Sequence, residues 1–111
     1  MSDFRIKRGD LKPRLEVILT DASGNPIPGG IPEGATVEFH MRLPDSAVLK
    51  VNAAAVVDNA AGAEVGYNWQ GLDTDTEGDY LGEIEMTETD GKTTTFPNSR
   101  NLAISVFADL A

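Results

Sequence analysis

The stretch Thr76-Glu77-Gly78-Asp79-Tyr80-Leu81-Gly82 decides the fold. An acidic turn runs through a glycine into a tyrosine. From there Tyr80, Gly82, Ile84 and Met86 alternate with Leu81, Glu83 and Glu85. Period-two alternation is the signature of a half-buried strand. In sandwiches of two antiparallel sheets a tyrosine enters one strand at this place, and its hydroxyl bonds back to the preceding turn. The segment specifies a scaffold and says almost nothing about chemistry.

The same period recurs outward in both directions, and helical periodicity is nearly absent. Phe4 and Ile6 form a short first strand ended by Gly9-Asp10, and Leu15, Val17 and Leu19 a second one after Pro13. Asp21 to Pro26 is turn chemistry, followed by a loop stiffened by Pro26, Pro28 and Pro32. Val37, Phe39, Met41 and Leu43 give the best-alternating strand, with Glu38, His40 and Arg42 on its wet face. Strands are expected again at Val48–Val51, at Val56-Val57 and at Val65, Tyr67 and Trp69. Thr89-Asp90-Gly91-Lys92 is a hairpin signal between Tyr80–Thr87 and Thr93–Phe96, and Leu102, Ile104 and Val106 close the chain. The expectation is one all-β domain over residues 1–111, an immunoglobulin-like sandwich of about seven to nine antiparallel strands. Trp69 and Tyr80 are placed in its core.

Composition narrows the function classes. With no cysteine among 111 residues there is no disulfide, thiolate nucleophile or Cys-based zinc site. Gly82 stands where the second cysteine of the usual disulfide between sheets would fall. A net charge of −9 disfavours nucleic acid, because phosphate binding needs clustered Lys and Arg. The N-terminus is polar, so no signal peptide is expected. No apolar run approaches the ~20 residues of a membrane span. The charge is unevenly spread. Arg5, Lys7, Arg8, Lys12 and Arg14 are five of the nine bases, whereas residues 73–90 carry eight acids and no base. Such a basic arm and acidic belt suit head-to-tail association of identical copies; the alternative is two solvated strand faces.

Motifs with chemical potential mostly fail on inspection. Asp73-Thr-Asp-Thr-Glu77-Gly78-Asp79 begins like a calcium loop, but its twelfth position, which needs a bidentate Glu, is Ile84. Arg8-Gly9-Asp10 is an adhesion tripeptide and also ordinary turn punctuation. His40, alone and on a polar strand face, is expected to be exposed and makes neither a metal site nor a triad. Tyr67 and Trp69, at i and i+2, serve either the core or a sugar-stacking platform. No nucleophile–base set, cofactor motif or phosphate-cradling loop is present in the sequence, so neither an enzyme nor a small-molecule substrate is expected.

The order of the pieces resembles a known family. The segments are Phe4–Asp10, Pro13–Asp21 with Gly24-Asn25-Pro26, Gly34–Arg42, Tyr67-Asn68-Trp69, the Asp73–Tyr80 corner, and Glu83 through Asp90-Gly91 to Phe96-Pro97. Together they are similar to the immunoglobulin-like N-terminal domain of phage baseplate upper proteins, and to small stand-alone tailed-phage proteins built on it. The resemblance implies a non-enzymatic structural subunit of a tail, baseplate or head–tail connector, made in the host cytoplasm and carried in the virion. Its partners would be other phage structural proteins in a multi-copy symmetric assembly, with no cofactor, nucleic acid or membrane. A capsid decoration protein, or a carbohydrate- or receptor-binding module using Tyr67 and Trp69, is the alternative. The segment Ser2 to Arg14, through Phe4, Arg5, Lys7, Arg8, Lys12 and Arg14, is the expected partner-binding region.

Overall fold

The computed structural model describes residues 3–110. Nine strands and no helix make up the described residues: β1 (Phe4–Lys7), β2 (Leu15–Ile18), β3 (Thr36–Arg42), β4 (Val51–Ala54), β5 (Val56–Asn59), β6 (Glu64–Tyr67), β7 (Gly78–Thr87), β8 (Thr93–Phe96) and β9 (Leu102–Phe107). They form two sheets. The larger, sheet A, has the order β1-β9-β7-β3-β4 with β8 also on β7; the smaller, sheet B, has the order β2-β6-β5.

The sequence expectation of antiparallel strands needs one correction. β1 runs parallel to β9, pairing Phe4 with Ile104 and Ile6 with Val106, so sheet A is mixed. A parallel pair cannot be joined by a tight turn. Here the whole intervening domain serves as the connection. A second correction concerns β4, which starts at Val51 and runs into the Ala53-Ala54 stretch rather than spanning residues 48–51. Val48 is 77% exposed: an apolar side chain there contributes nothing to a buried face.

β7 is the hub. Its ten residues pair with β3 along one edge, from Arg42↔Leu81 to Thr36↔Thr87. On its other edge two strands share it, β9 opposite residues 78–82 and β8 opposite residues 84–87. Pro97 lacks an amide hydrogen and stops β8 after Phe96. The chain then leaves the sheet for residues 97–101 and returns at Leu102, opposite Gly82. The turn linking β7 to β8 closes where Asp90-Gly91 predicts, with Gly91 at φ 89° donating to the Glu88 carbonyl at 2.9 Å.

Alternation puts Val37, Phe39 and Met41 of β3 and Tyr80, Ile84 and Met86 of β7 inward, where they meet Leu15, Val65 and Tyr67 from sheet B. The Phe39 ring lies 4.9 Å from that of Tyr67 and 5.7 Å, edge-on, from that of Trp69. Burying side chains of this size stabilises the fold by roughly 1.5–3 kcal/mol each. Trp69 is 3% exposed, inside the core as expected, and its indole Nε1 has no hydrogen-bond partner among the described residues. Gly82 is required by space: a Cβ there would come within 2.6 Å of Ile104 Cδ1 and 3.2 Å of Phe39 Cε1.

The Thr76–Tyr80 corner forms as expected. The Tyr80 hydroxyl donates to the Thr76 carbonyl at 2.7 Å, closing the turn onto the strand it precedes. Burial of the ring pushes the phenol pKa up, so it remains a donor throughout the physiological range.

Candidate interaction surface

The six residues expected to bind partners do not act as one arm. Residues 4–7 are a strand of sheet A, and this placement sorts their side chains. Phe4 is half-buried and stacks against Trp69 at 5.6 Å, which makes it part of the core boundary. Arg5 points outward and lies 4.9 Å over the Phe107 ring of the neighbouring strand. Lys7 and Lys12 are exposed and have no ion pair among the described residues. Ser2 lies outside the described residues.

Arg8 and Arg14 are engaged within the chain. Arg8 bridges Glu77 at 3.2 Å and Asp109 at 3.0 Å. Beside it, Gly9 N–H donates to the Thr74 carbonyl at 2.9 Å, and the buried Thr74 hydroxyl donates to the Asp10 carbonyl at 2.8 Å. The Arg8-Gly9-Asp10 tripeptide is thus a clasp between the end of β1 and the acidic corner. Among the described residues Arg8 alone of the five N-terminal bases pairs with the acidic belt, at Glu77, and it does so within one copy.

Arg14 crosses the outer face of sheet B. Its guanidinium donates to both Asp58 carboxylate oxygens, at 2.9 and 3.2 Å, and its Nε to Asn68 Oδ1 at 3.2 Å. The route is open because the residue beneath is Gly66, where a Cβ would sit 2.0 Å from Arg14 Nη2. Arg14, Gly66 and Asp58 therefore fasten β2 to β5 over the strand between them. No local pattern announces this contact; the small residue on an outward position of β6 is the only trace of it in the sequence.

Three of the four carboxylates of the would-be calcium loop, Asp73, Asp75 and Glu77, are likewise occupied by protein. Asp73 accepts from the Tyr67 hydroxyl at 2.5 Å and from Gln70 N–H at 2.9 Å. Burial, then this bond, raise the Tyr67 pKa well above its ordinary value. Asp75 pairs with Lys50 and accepts from the Thr76 hydroxyl, and the Lys50 hydrogen bond chiefly holds its carboxyl below the usual range. Among the described residues no three His, Asp or Glu side chains converge as metal ligands. Tyr67 and Trp69, at 2% and 3% exposure, present no ring face for a sugar to stack on.

His40 departs from expectation. Its side chain is only 14% exposed, held on the outer face of sheet A between Glu83, 3.0 Å from Nδ1, and Glu38, 3.3 Å from Nε2. The register explains the cluster: His40 faces Glu83 directly, and Glu38 faces Glu85. Burial alone would disfavour the imidazolium, but the hydrogen bonds it donates to Glu83 and Glu38 outweigh it and raise the pKa above 6.5. Strand alternation places these residues on one face; only the β3–β7 register, unreadable from either strand alone, places them in contact.

No family model matches the chain, and neither curated proteins nor solved structures give a match.

Proposed function

We propose that this chain is a non-enzymatic structural subunit of a tailed-bacteriophage virion, a small adaptor with an immunoglobulin-like sandwich fold that works by protein–protein contact. The observation that carries the reading is how the resembling segments fall on the strands. The order β4-β3-β7-β9 in one sheet against β2-β6-β5 in the other parallels the two-sheet arrangement of variable-type immunoglobulin domains, with Tyr80 at the start of the strand that bears the tyrosine corner. Phe4–Asp10 forms β1 and its clasp, Pro13–Asp21 contains β2, Gly34–Arg42 contains β3, and Glu83–Pro97 spans the β7–β8 turn. Two departures stand beside the parallel: there is no disulfide, and the central tryptophan lies just after β6 rather than on β3.

The chemistry of the surface supports a docking role. Arg8, Arg14, Lys50, Asp58, Asp73 and Asp75 are spent on holding the chain together. Open sheet edges and the exposed Arg5, Lys7 and Lys12 remain for partners. The test is to purify particles from a lysate, separate them from soluble protein by density, and probe both fractions with an antibody to this chain. Co-migration with particles in stoichiometric amount is expected. Recovery only in the soluble fraction would sink the proposal.

A further inference from the structure

β2 leaves backbone groups unspent along one edge. It has a single neighbour, β6. Leu19 N–H donates to the Ala63 carbonyl at 2.9 Å, and Leu15↔Tyr67 and Val17↔Val65 lie in the same phase. The alternation of an antiparallel ladder then turns the N–H and C=O groups of Glu16, Ile18 and Thr20 to the open side. Proteins blunt such edges with Lys, Pro or a bulge. The edge strand β1 carries Arg5 and Lys7, and β5 has an irregularity between Val57 and Asn59. β2 has no Lys, Pro or bulge; it is a short strand whose one charge is Glu16, and Ile18 is 52% exposed.

A groove of about 430 Å³ accompanies this edge. Val17, Ile18 and Thr20 form one wall, with Asp21 at its end; Phe96, Pro97 and Leu102 form the other, together with Arg100 of the 97–101 excursion, whose charge is paired with Asp3 at 2.8 Å. The space lies between the edge of sheet B and the rim of sheet A, and a chain placed there would meet both.

We infer that the β2 edge accepts an extended strand from another protein, with apolar residues alternating with basic ones. The inward side chains of such a strand would meet the half-buried Val17 and Pro97, which lie over the buried Phe96 and Leu102. The outward ones would lie beside Glu16, whose side chain is 73% exposed and whose nearest cation, Arg14, is already held by both oxygens of Asp58. Glu64 adds a second carboxylate to the same face. A second copy of this chain fits less well, because it would bring its own Glu16 and a charge of −9 against the same surface. Main-chain bonds supply affinity in this mode of recognition, and alternate side chains supply selectivity. The inference rests on the assembly reading only in supposing a protein partner.

The experiment uses a synthetic peptide of about nine residues alternating Val with Lys and Thr, and a control with Glu in place of Lys. Amide hydrogen exchange of the whole chain reports where it binds. The Lys peptide is expected to slow exchange at Ile18 and Thr20, with little effect from the Glu peptide. Ile18→Pro removes an outward N–H that β6 does not use, so it should weaken binding by about tenfold or more while β6 amides stay protected. Glu16→Lys should reverse the preference between the two peptides. Protection elsewhere, equal binding to Ile18→Pro, or self-association of the free chain that Ile18→Pro abolishes would each overturn the inference. If Ile18→Pro still enters particles, the β2 inference falls while the assembly reading stands. Absence of the unaltered chain from particles removes the assembly reading and leaves the peptide result untouched.

Discussion

The two sheets solve the problem of edges differently. In sheet A, β3, β7 and β9 each have neighbours on both sides, while β1, β4 and β8 are edges, β1 bearing Arg5 and Lys7. In sheet B only β6 is flanked twice, and both β2 and β5 are edges. Sheet A supplies most of the buried side chains, while sheet B covers them with Leu15, Val65 and Tyr67. The difference teaches that the part of a small sandwich with least internal pairing is the part with most capacity to pair outward. The β3–β7 pair is the longest in the molecule, and β2 is one of two open edges of a sheet of three strands.

Substitutions can break this contrast in graded steps. The largest effect is expected for Phe39→Ala, which empties a fully buried position that touches rings from the far side of the core. A loss of about 3–5 kcal/mol is expected by urea denaturation, enough to threaten the fold of both sheets together. Tyr80→Phe should cost about 1 kcal/mol, because it deletes only the bond to the Thr76 carbonyl. Exchange should then quicken first in the 73–79 corner. Arg14→Ala should cost less than about 1 kcal/mol, since its bridge to Asp58 is partly exposed. Its signature is spatial: faster exchange in β2 and β5, with β3 and β7 unchanged.

The smallest effect is a pH dependence confined to sheet A. His40 has its pKa raised in the folded protein against Glu83, Glu38 and Glu85, while Asn52 opposite it on β4 is neutral. Its stabilising contribution is therefore complete below the unfolded value near 6.5 and fades as pH rises through the higher folded value. Melting temperature followed from pH 5.5 to 8.5 should fall slightly across that window, and His40→Gln should flatten the fall. A slope of opposite sign would show that Glu83 and Glu38 do not hold the imidazolium.

What the sequence reveals follows the range of each interaction. The Tyr80 corner spans four residues and the Asp90-Gly91 turn fewer, so both are legible in a short window. Alternation places Phe39, Tyr67 and Trp69 inside because burial acts on each strand separately. The clasp of Arg8 with Asp109, the Arg14–Asp58 bridge and the His40–Glu83 pair join residues 101, 44 and 43 positions apart, and no local pattern specifies their register. Hence a segment that reads as a free basic arm divides, once folded, into a half-buried Phe4, two arginines paired within the chain, and Arg5, Lys7 and Lys12 facing out. Val48 misleads for the opposite reason: hydrophobicity alone suggests a strand, yet nothing packs on it.

The parallel pairing of β1 with β9 has a mechanical consequence. Tension applied at the two ends of the chain would drag these neighbouring strands lengthwise past one another, loading the hydrogen bonds from Phe4 to Lys7 in shear. Bonds loaded this way share the force and must fail nearly together, whereas a hairpin pulled from its open end fails one bond at a time. Resistance to pulling is set by the barrier to rupture rather than by equilibrium stability. A domain strung by its ends within a larger assembly would thus carry its load across the edge of its sturdier sheet, leaving β2 unstrained.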